Sequence, residues 1–144
     1  MQRGDSLASQ LYQVAQLENH WLSQQLRQLG LNNDQARALD AIAQHPNSNQ
    51  RQVAQRLQRQ AASTSNLLRN LTERGLIERR PSPVSKREKV LQVTIAGEAT
   101  VAAIQAAFQH LDDVVKESVP IDQQRALQAH LTSIAERLQS EEGD

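Results

Sequence analysis

The chain contains no cysteine. Disulfides, thiolate metal sites and a cysteine redox switch are thereby excluded within it, and a reducing cytoplasm is the expected compartment. Aromatic residues are nearly absent too: Tyr12, Trp21 and Phe108 are the full set. A large aromatic-lined cofactor pocket does not fit that composition. The core must come from Leu, Ile, Val and Ala, which suits helices. No apolar run approaches the length of a membrane span, and residues 1–10 lack the apolar stretch of an export signal. The signatures of catalysis are also missing. There is no glycine-rich phosphate loop and no Gly-x-Ser-x-Gly. The acidic pairs Asp112-Asp113 and Glu141-Glu142 fall on exposed or terminal positions. His20, His45, His110 and His130 lie far apart and form no His-x3-His pair. No metal, no cofactor and no enzymatic activity are expected.

What is present is a segregation of charge. The formal net charge is zero, yet residues 51–90 hold ten Arg and Lys against three acids. A basic middle between acidic flanks is what a polyanion-binding module shows. A chain of 144 residues suits one domain with a modest core.

Apolar periodicity orders the elements. Residues 6–29 read as a helix with Leu7, Leu11, Val14, Trp21 and Leu22 near one stripe, stopped by Gly30. Asn32 with Gln35 forms a capping pair for a second helix reaching Gln44, with Ala36, Leu39, Ile42 and Ala43 inward. Residues 45–49 are a turn. A short helix follows over 50–57, carrying Val53, Ala54 and Leu57. A fourth helix covers 61–74, with Ala61, Thr64, Leu67, Leu68 and Leu71 toward the core and Gly75 as its stop. The period then changes. Residues 76–80 are expected to pair with a strand in which Leu91, Val93 and Ile95 alternate with Gln92 and Thr94. Between them, residues 81–87 hold two prolines and are read as a loop. Thr94 is positioned to cap a long helix over about 96–118. A last helix runs from about 122 to 139, leaving a frayed tail over 140–144.

Three adjacent helices followed by a hairpin make a winged helix. The fold expected is mainly α with a small β-hairpin wing and six helices: a winged-helix lobe over 31–95, and helical regions over 1–30 and 96–144. The third and fourth helices would be a helix-turn-helix, and the fourth would enter the major groove of duplex DNA. If its apolar positions face the core, Ala62, Ser63, Ser65, Asn66, Arg69 and Asn70 are left for the groove. Small residues permit close approach, Ser hydroxyls reach bases or phosphates, Asn66 can pair with adenine, and Arg69 can reach guanine or phosphate. At the hairpin tip, Arg87 is suited to a narrow minor groove, with Lys86 and Lys89 on phosphates.

Residues 31–97 resemble the multiple-antibiotic-resistance-regulator (MarR) family. The pattern runs through Leu31-Asn32-Asn33-Asp34-Gln35, Val53-Ala54-Gln55-Arg56-Leu57, Leu67-Leu68-Arg69-Asn70-Leu71, Glu73-Arg74-Gly75-Leu76-Ile77, Ser85-Lys86-Arg87 and Leu91-Gln92-Val93-Thr94-Ile95-Ala96-Gly97. The resemblance implies a homodimeric regulator, a repressor or an activator, on a pseudo-palindromic site, often released by a small aromatic or anionic ligand. It implies that the first and the last two helices build the dimer interface. It also implies that Ser63, Ser65, Asn66 and Asn70 face the major groove and Arg87 the minor groove. Several positions depart from the family pattern: Asp is usual at Ser85, an apolar residue at Arg59 and Thr64, Gly at Gln58, and Arg at Asn66.

Two further expectations follow. The stripes at 101, 104, 108, 111 and 115, and at 127, 131, 134 and 138, look like intermolecular seams. For an effector between the lobe and the dimer helices, the available residues are Tyr12, His20, Trp21 and Arg37, although Trp21 is read first as core. The competing functional reading is a winged-helix dimer that binds protein instead of DNA.

Overall fold

The computed structural model describes residues 6–143. Residues 1–5, in the stretch read for an export signal, and Asp144, in the tail read as frayed, lie outside the described residues. The chain forms two compact units, Met1–Phe108 and Gln109–Asp144.

The first unit contains α1 (Leu7–Arg27), α2 (Asn33–Gln44), α3 (Gln50–Leu57), α4 (Ala61–Glu73), β1 (Ile77–Pro81), β2 (Lys89–Val93) and the start of α5 (Ile95–Glu117). Side chains open α1, α2 and α3, as the Thr94 hydroxyl does α5. Ser6 accepts from the Ser9 amide at α1, and complete capping boxes pair Asn32 with Gln35 at α2 and Asn49 with Gln52 at α3. Three helices close through left-handed residues. Gly30, Gln58 and Gly75 have φ of 70°, 54° and 73°. In each, the next amide reaches back to the sixth carbonyl: Leu31 to Leu26, Arg59 to Ala54 and Leu76 to Leu71, at 3.1, 3.0 and 3.1 Å.

The strands pair antiparallel from Ile77 opposite Val93 to Pro81 opposite Lys89. The Leu91 amide also donates to the Ser48 carbonyl at 2.8 Å, so a one-residue bridge fastens the α2–α3 turn to the hairpin. The core lies among these elements: Leu22, Leu26, Leu39, Ile42, Val53, Leu68, Leu71, Ile77, Leu91 and Ile104 are almost fully buried.

Several expectations need correction. Pro81 ends β1 instead of starting the loop, tolerated because a two-stranded sheet has no second neighbour for its missing N–H. Ile95 is not in a strand; it opens α5 at 88% exposure, because the Thr94 hydroxyl accepts from the Gly97 amide and turns the chain one residue earlier. Within α4, Ala61 is exposed and Leu67 half-buried, so the buried face is Thr64, Leu68 and Leu71. Leu7, Leu11 and Val14 are exposed, and α1 buries only Leu22 and Leu26. In α2, Ala43 is only half-buried, and Ala38 is inside instead.

The second unit holds the end of α5 and α6 (Ile121–Glu142). The expected fraying from Ser140 is not seen, since α6 continues to Glu142. No residue of α6 is buried. Val115, Val119, Ile121, Leu127 and Leu131 line a groove of about 540 Å³ between the two helices. Lys116 bonds Asp112 at 2.9 Å, and that hydrogen bond and charge hold its ammonium above the ordinary lysine value.

Candidate nucleic-acid interface

Position along α4 decides which side chains face outward. At 3.6 residues per turn, Ala62, Asn66, Arg69 and Glu73 lie opposite the buried Thr64, Leu68 and Leu71. Ala62, Asn66, Arg69 and Asn70 are exposed, while Ser63 and Ser65 flank the ridge half-buried. The polar Thr64 is tolerated inside because its hydroxyl donates to the Gln60 carbonyl at 3.0 Å. Ser63 donates to the same carbonyl at 3.1 Å. No side chain caps the start of α4, unlike α1 to α3, so its first amides remain open to an anion. Asn70 is engaged: its Oδ1 accepts from Gln35 Nε2 at 2.8 Å.

The structure sorts the basic window into two sets. Arg56 donates to Ser48 Oγ at 2.7 Å, Arg59 pairs with Asp34 at 2.9 Å, and Arg74 donates to the Gly30 carbonyl at 2.8 Å. Arg79 donates to Gln50 at 3.0 Å, and Arg80 pairs with Glu78 at 2.6 Å. The first four join separate segments of the lobe, whereas Arg80 pairs within β1. Arg51, Arg69, Lys86, Arg87 and Lys89 are exposed, and no ion pair engages them among the described residues. The cations available to a polyanion therefore sit on α3, on the α4 ridge and on the wing.

The wing is shaped by a serine and a carboxylate. Ser82 Oγ accepts from the amides of Val84 and Ser85 at 3.1 and 3.2 Å, and the Ser82 amide donates to the Glu88 carbonyl at 2.9 Å. The Glu88 carboxylate accepts from the Asn49 side chain, which ties the wing to the start of α3. Ser82 and Glu88 thus brace the turn that carries Lys86 and Arg87. Sequence reasoning missed both braces, and it also missed Arg51 and Glu73. The signals were available for two of them: Arg51 lies inside the basic window, and Glu73 falls on the ridge at seven residues from Asn66.

The residues considered for an effector are not gathered in one chain. Tyr12 and Trp21 are nine positions apart on α1, about half a turn out of phase, so they face opposite sides. Tyr12 is 66% exposed, with its hydroxyl accepting from Gln16; His20 is exposed. Arg37 lies on α2, its guanidinium 5.4 Å from the Phe108 ring centre. It borders an open cavity of about 560 Å³ with Asp40, His45, Arg56, Gln58 and Phe108. Tyr12, His20 and Trp21 do not line that cavity. Among the described residues, no three His, Asp or Glu side chains cluster for a metal, and no helix is long and apolar enough to cross a membrane.

Residues 29–88, which span α2 to the wing, match the model of the MarR family. Over that segment the chain is similar to the MarR family, and its helices and hairpin form a winged helix. Solved structures share the architecture of its six helices and hairpin. The DNA complex of S. aureus MepR superposes with a TM-score of 0.86 at 23% identity, covering 94% of this chain and 99% of that one. MepR of S. aureus in its DNA-binding conformation gives 0.84 at 24%, with 92% and 98% covered. A crystal structure of MarR gives 0.75 at 24%, with 99% and 97% covered. At these identities the likeness shows the fold. No curated protein matches the chain. The match to the MarR family falls on the segment where the ridge, the open helix start and the wing cations Lys86 and Arg87 are found.

Proposed function

We propose that this MarR-type protein is a transcriptional regulator, a repressor rather than an enzyme, that binds pseudo-palindromic duplex DNA in the cytoplasm as a homodimer. The observation that carries the reading is the α4 ridge. A helix with Thr64, Leu68 and Leu71 fully buried turns Ala62, Asn66 and Arg69 to solvent, beside a wing whose Lys86, Arg87 and Lys89 are exposed. Such a helix fits the major groove, and the wing then meets the flanking backbone or minor groove. S. aureus MepR, with the same fold, has been solved bound to DNA.

The dimer reading is supported by apolar surface. Leu7, Leu11, Val14 and Leu17 on α1, and Leu127, Leu131, Ile134 and Leu138 on α6, are between 38% and 79% exposed. Stripes of that kind mark an interface. A twofold dimer would set its two recognition helices about 34–36 Å apart, one turn of duplex. Release by a small aromatic or anionic ligand needs unequal binding to two dimer shapes. The cavity bordered by Arg37 and Phe108 supports that part of the reading. A thermal-shift screen with aromatic acids tests it: a stabiliser whose effect is lost in Arg37→Ala is expected, and a screen with no stabiliser speaks against a ligand.

Filter binding against genomic DNA fragments tests the main proposal. Retention that falls steeply as salt rises is expected, because phosphate contacts release counterions. No retention at low salt favours the competing reading, a winged-helix module that binds protein.

A further inference from the structure

The α2 capping box does more than start a helix. The Asn32 amide donates to Gln35 Oε1 at 2.9 Å. A backbone N–H can only donate, so the carbonyl end of the Gln35 amide must face Asn32. Its NH2 end is then the one pointing at α4, where it donates to Asn70 Oδ1 at 2.8 Å. With Oδ1 turned toward Gln35, Asn70 presents its NH2 group on the side away from that contact. The order of donor and acceptor is thus transmitted through two amides from one backbone N–H, whose direction is fixed by the helix start. Asn70 itself is exposed on α4, next to Arg69 on the ridge.

The geometry points to Gln35 as a specificity-determining residue that makes Asn70 a donor-only reader of a base edge. This rests on the DNA-binding reading. An unrestrained Asn offers a donor and an acceptor together, and so pairs with adenine through N6 and N7. Asn70 held by Gln35 has its acceptor turned toward α2. It selects edges that accept, guanine N7 and O6, adenine N7 or thymine O4, and it rejects cytosine, whose major-groove group is the N4 donor. Asn66, one turn earlier on the same side of α4, has no such tether in α2 among the described residues. Two asparagines of one helix therefore read by different rules.

The polarity can be inverted. Gln35→Glu preserves the capping box, since a carboxylate also accepts from the Asn32 amide. It has no hydrogen to give Asn70, so it accepts from the Asn70 NH2 and turns Oδ1 outward. Binding-site selection from random duplexes is run on the full-length parent, Gln35→Glu, Asn70→Ala and the double variant, with circular dichroism to show that each is folded. The Asn70-dependent position is the one whose preference Asn70→Ala abolishes. The parent is expected to disfavour cytosine there, by about threefold to tenfold against the other three bases, the worth of one hydrogen bond. Gln35→Glu is expected to move that position to adenine or cytosine, and the double variant to show no preference. The inference is overturned if the parent prefers cytosine at that position. It is equally overturned if Gln35→Glu leaves the preference unchanged, if the shift persists in the double variant, or if Asn70→Ala weakens all sequences evenly. A parent that selects no sequence at all defeats the DNA-binding reading itself, which separates the two failures.

Discussion

Arg59 Nη1 lies 2.9 Å from Asp34 Oδ2, so the turn between α3 and α4 is tied to the first turn of α2. The pair is partly solvated, with side chains 30% and 59% exposed. Such contacts contribute about 0–1 kcal/mol. Arg59 Nε is buried with no hydrogen-bond partner among the described residues, which costs about 1–3 kcal/mol. The orphaned donor outweighs the ion pair. Arg59→Met is expected to leave stability unchanged or to raise it by roughly 1 kcal/mol in urea unfolding. A loss above about 2 kcal/mol would show that the ion pair dominates.

Gln58 closes α3 at φ 54°, where a side chain is strained. Left-handed backbone costs a non-glycine residue about 1–2 kcal/mol, partly offset by the greater entropy glycine has when unfolded. Gln58→Gly is expected to stabilise by roughly 0.5–1 kcal/mol. A lower urea midpoint would mean that the Gln58 side chain, which borders the Arg37 cavity, makes compensating contacts.

Gly97 sits where the start of α5 crosses the end of α4 and the hairpin. A Cβ there would run into the Leu76 carbonyl oxygen and lie 2.9 Å from Val93 Cγ1. Neither backbone nor a β-branched neighbour yields easily, so Gly97→Ala is expected to cost about 1–3 kcal/mol. Gly75→Ala meets nothing within 4 Å and is penalised only for its φ of 73°. Thermal melts of the two variants should rank Gly97→Ala as the worse.

Arg87 and Asn66 are expected to differ in kind. Arg87→Ala should weaken binding to most sequences and reduce the salt slope by about one charge. Asn66→Ala should change base preference at one position with a smaller loss of general affinity. Fluorescence anisotropy on matched and mismatched duplexes distinguishes them. Parent-like binding by both variants would remove these residues from the interface.

Leu131 lies in the middle of the α6 stripe, 43% exposed. Leu131→Glu places a charge where the seam should close. Sedimentation velocity at micromolar concentration should show the parent as a dimer and the variant shifted to monomer. A parent that sediments as a monomer would end the dimer reading.

Much of the fold was legible because it is written locally. Asn32 with Gln35 and Asn49 ahead of Gln52 are capping pairs three residues apart, and both form. Gly30 and Gly75 stop helices where their backbone freedom is needed. Errors came where a distant segment intervened. Thr94 accepts from the Gly97 amide and itself donates to the Gly75 carbonyl at 2.6 Å, which pulls Ile95 out of the strand. Periodicity could not foresee that, since alternation continues through residue 95.

The sequence alone determined the element order, the α4 outward face and the location of the basic segment, because these depend on spacing along the chain. Tertiary structure decided which cations remain available. Arg59, Arg74 and Arg79 find partners far away in sequence, and Arg56 and Arg80 nearer ones, while Arg51, Arg69, Lys86, Arg87 and Lys89 form no ion pair among the described residues. It also decided the polarity of Asn70, through an amide 35 residues upstream. Composition counts a charge or an amide, but a hydrogen bond is directional, and its partner is fixed only when the chain has folded.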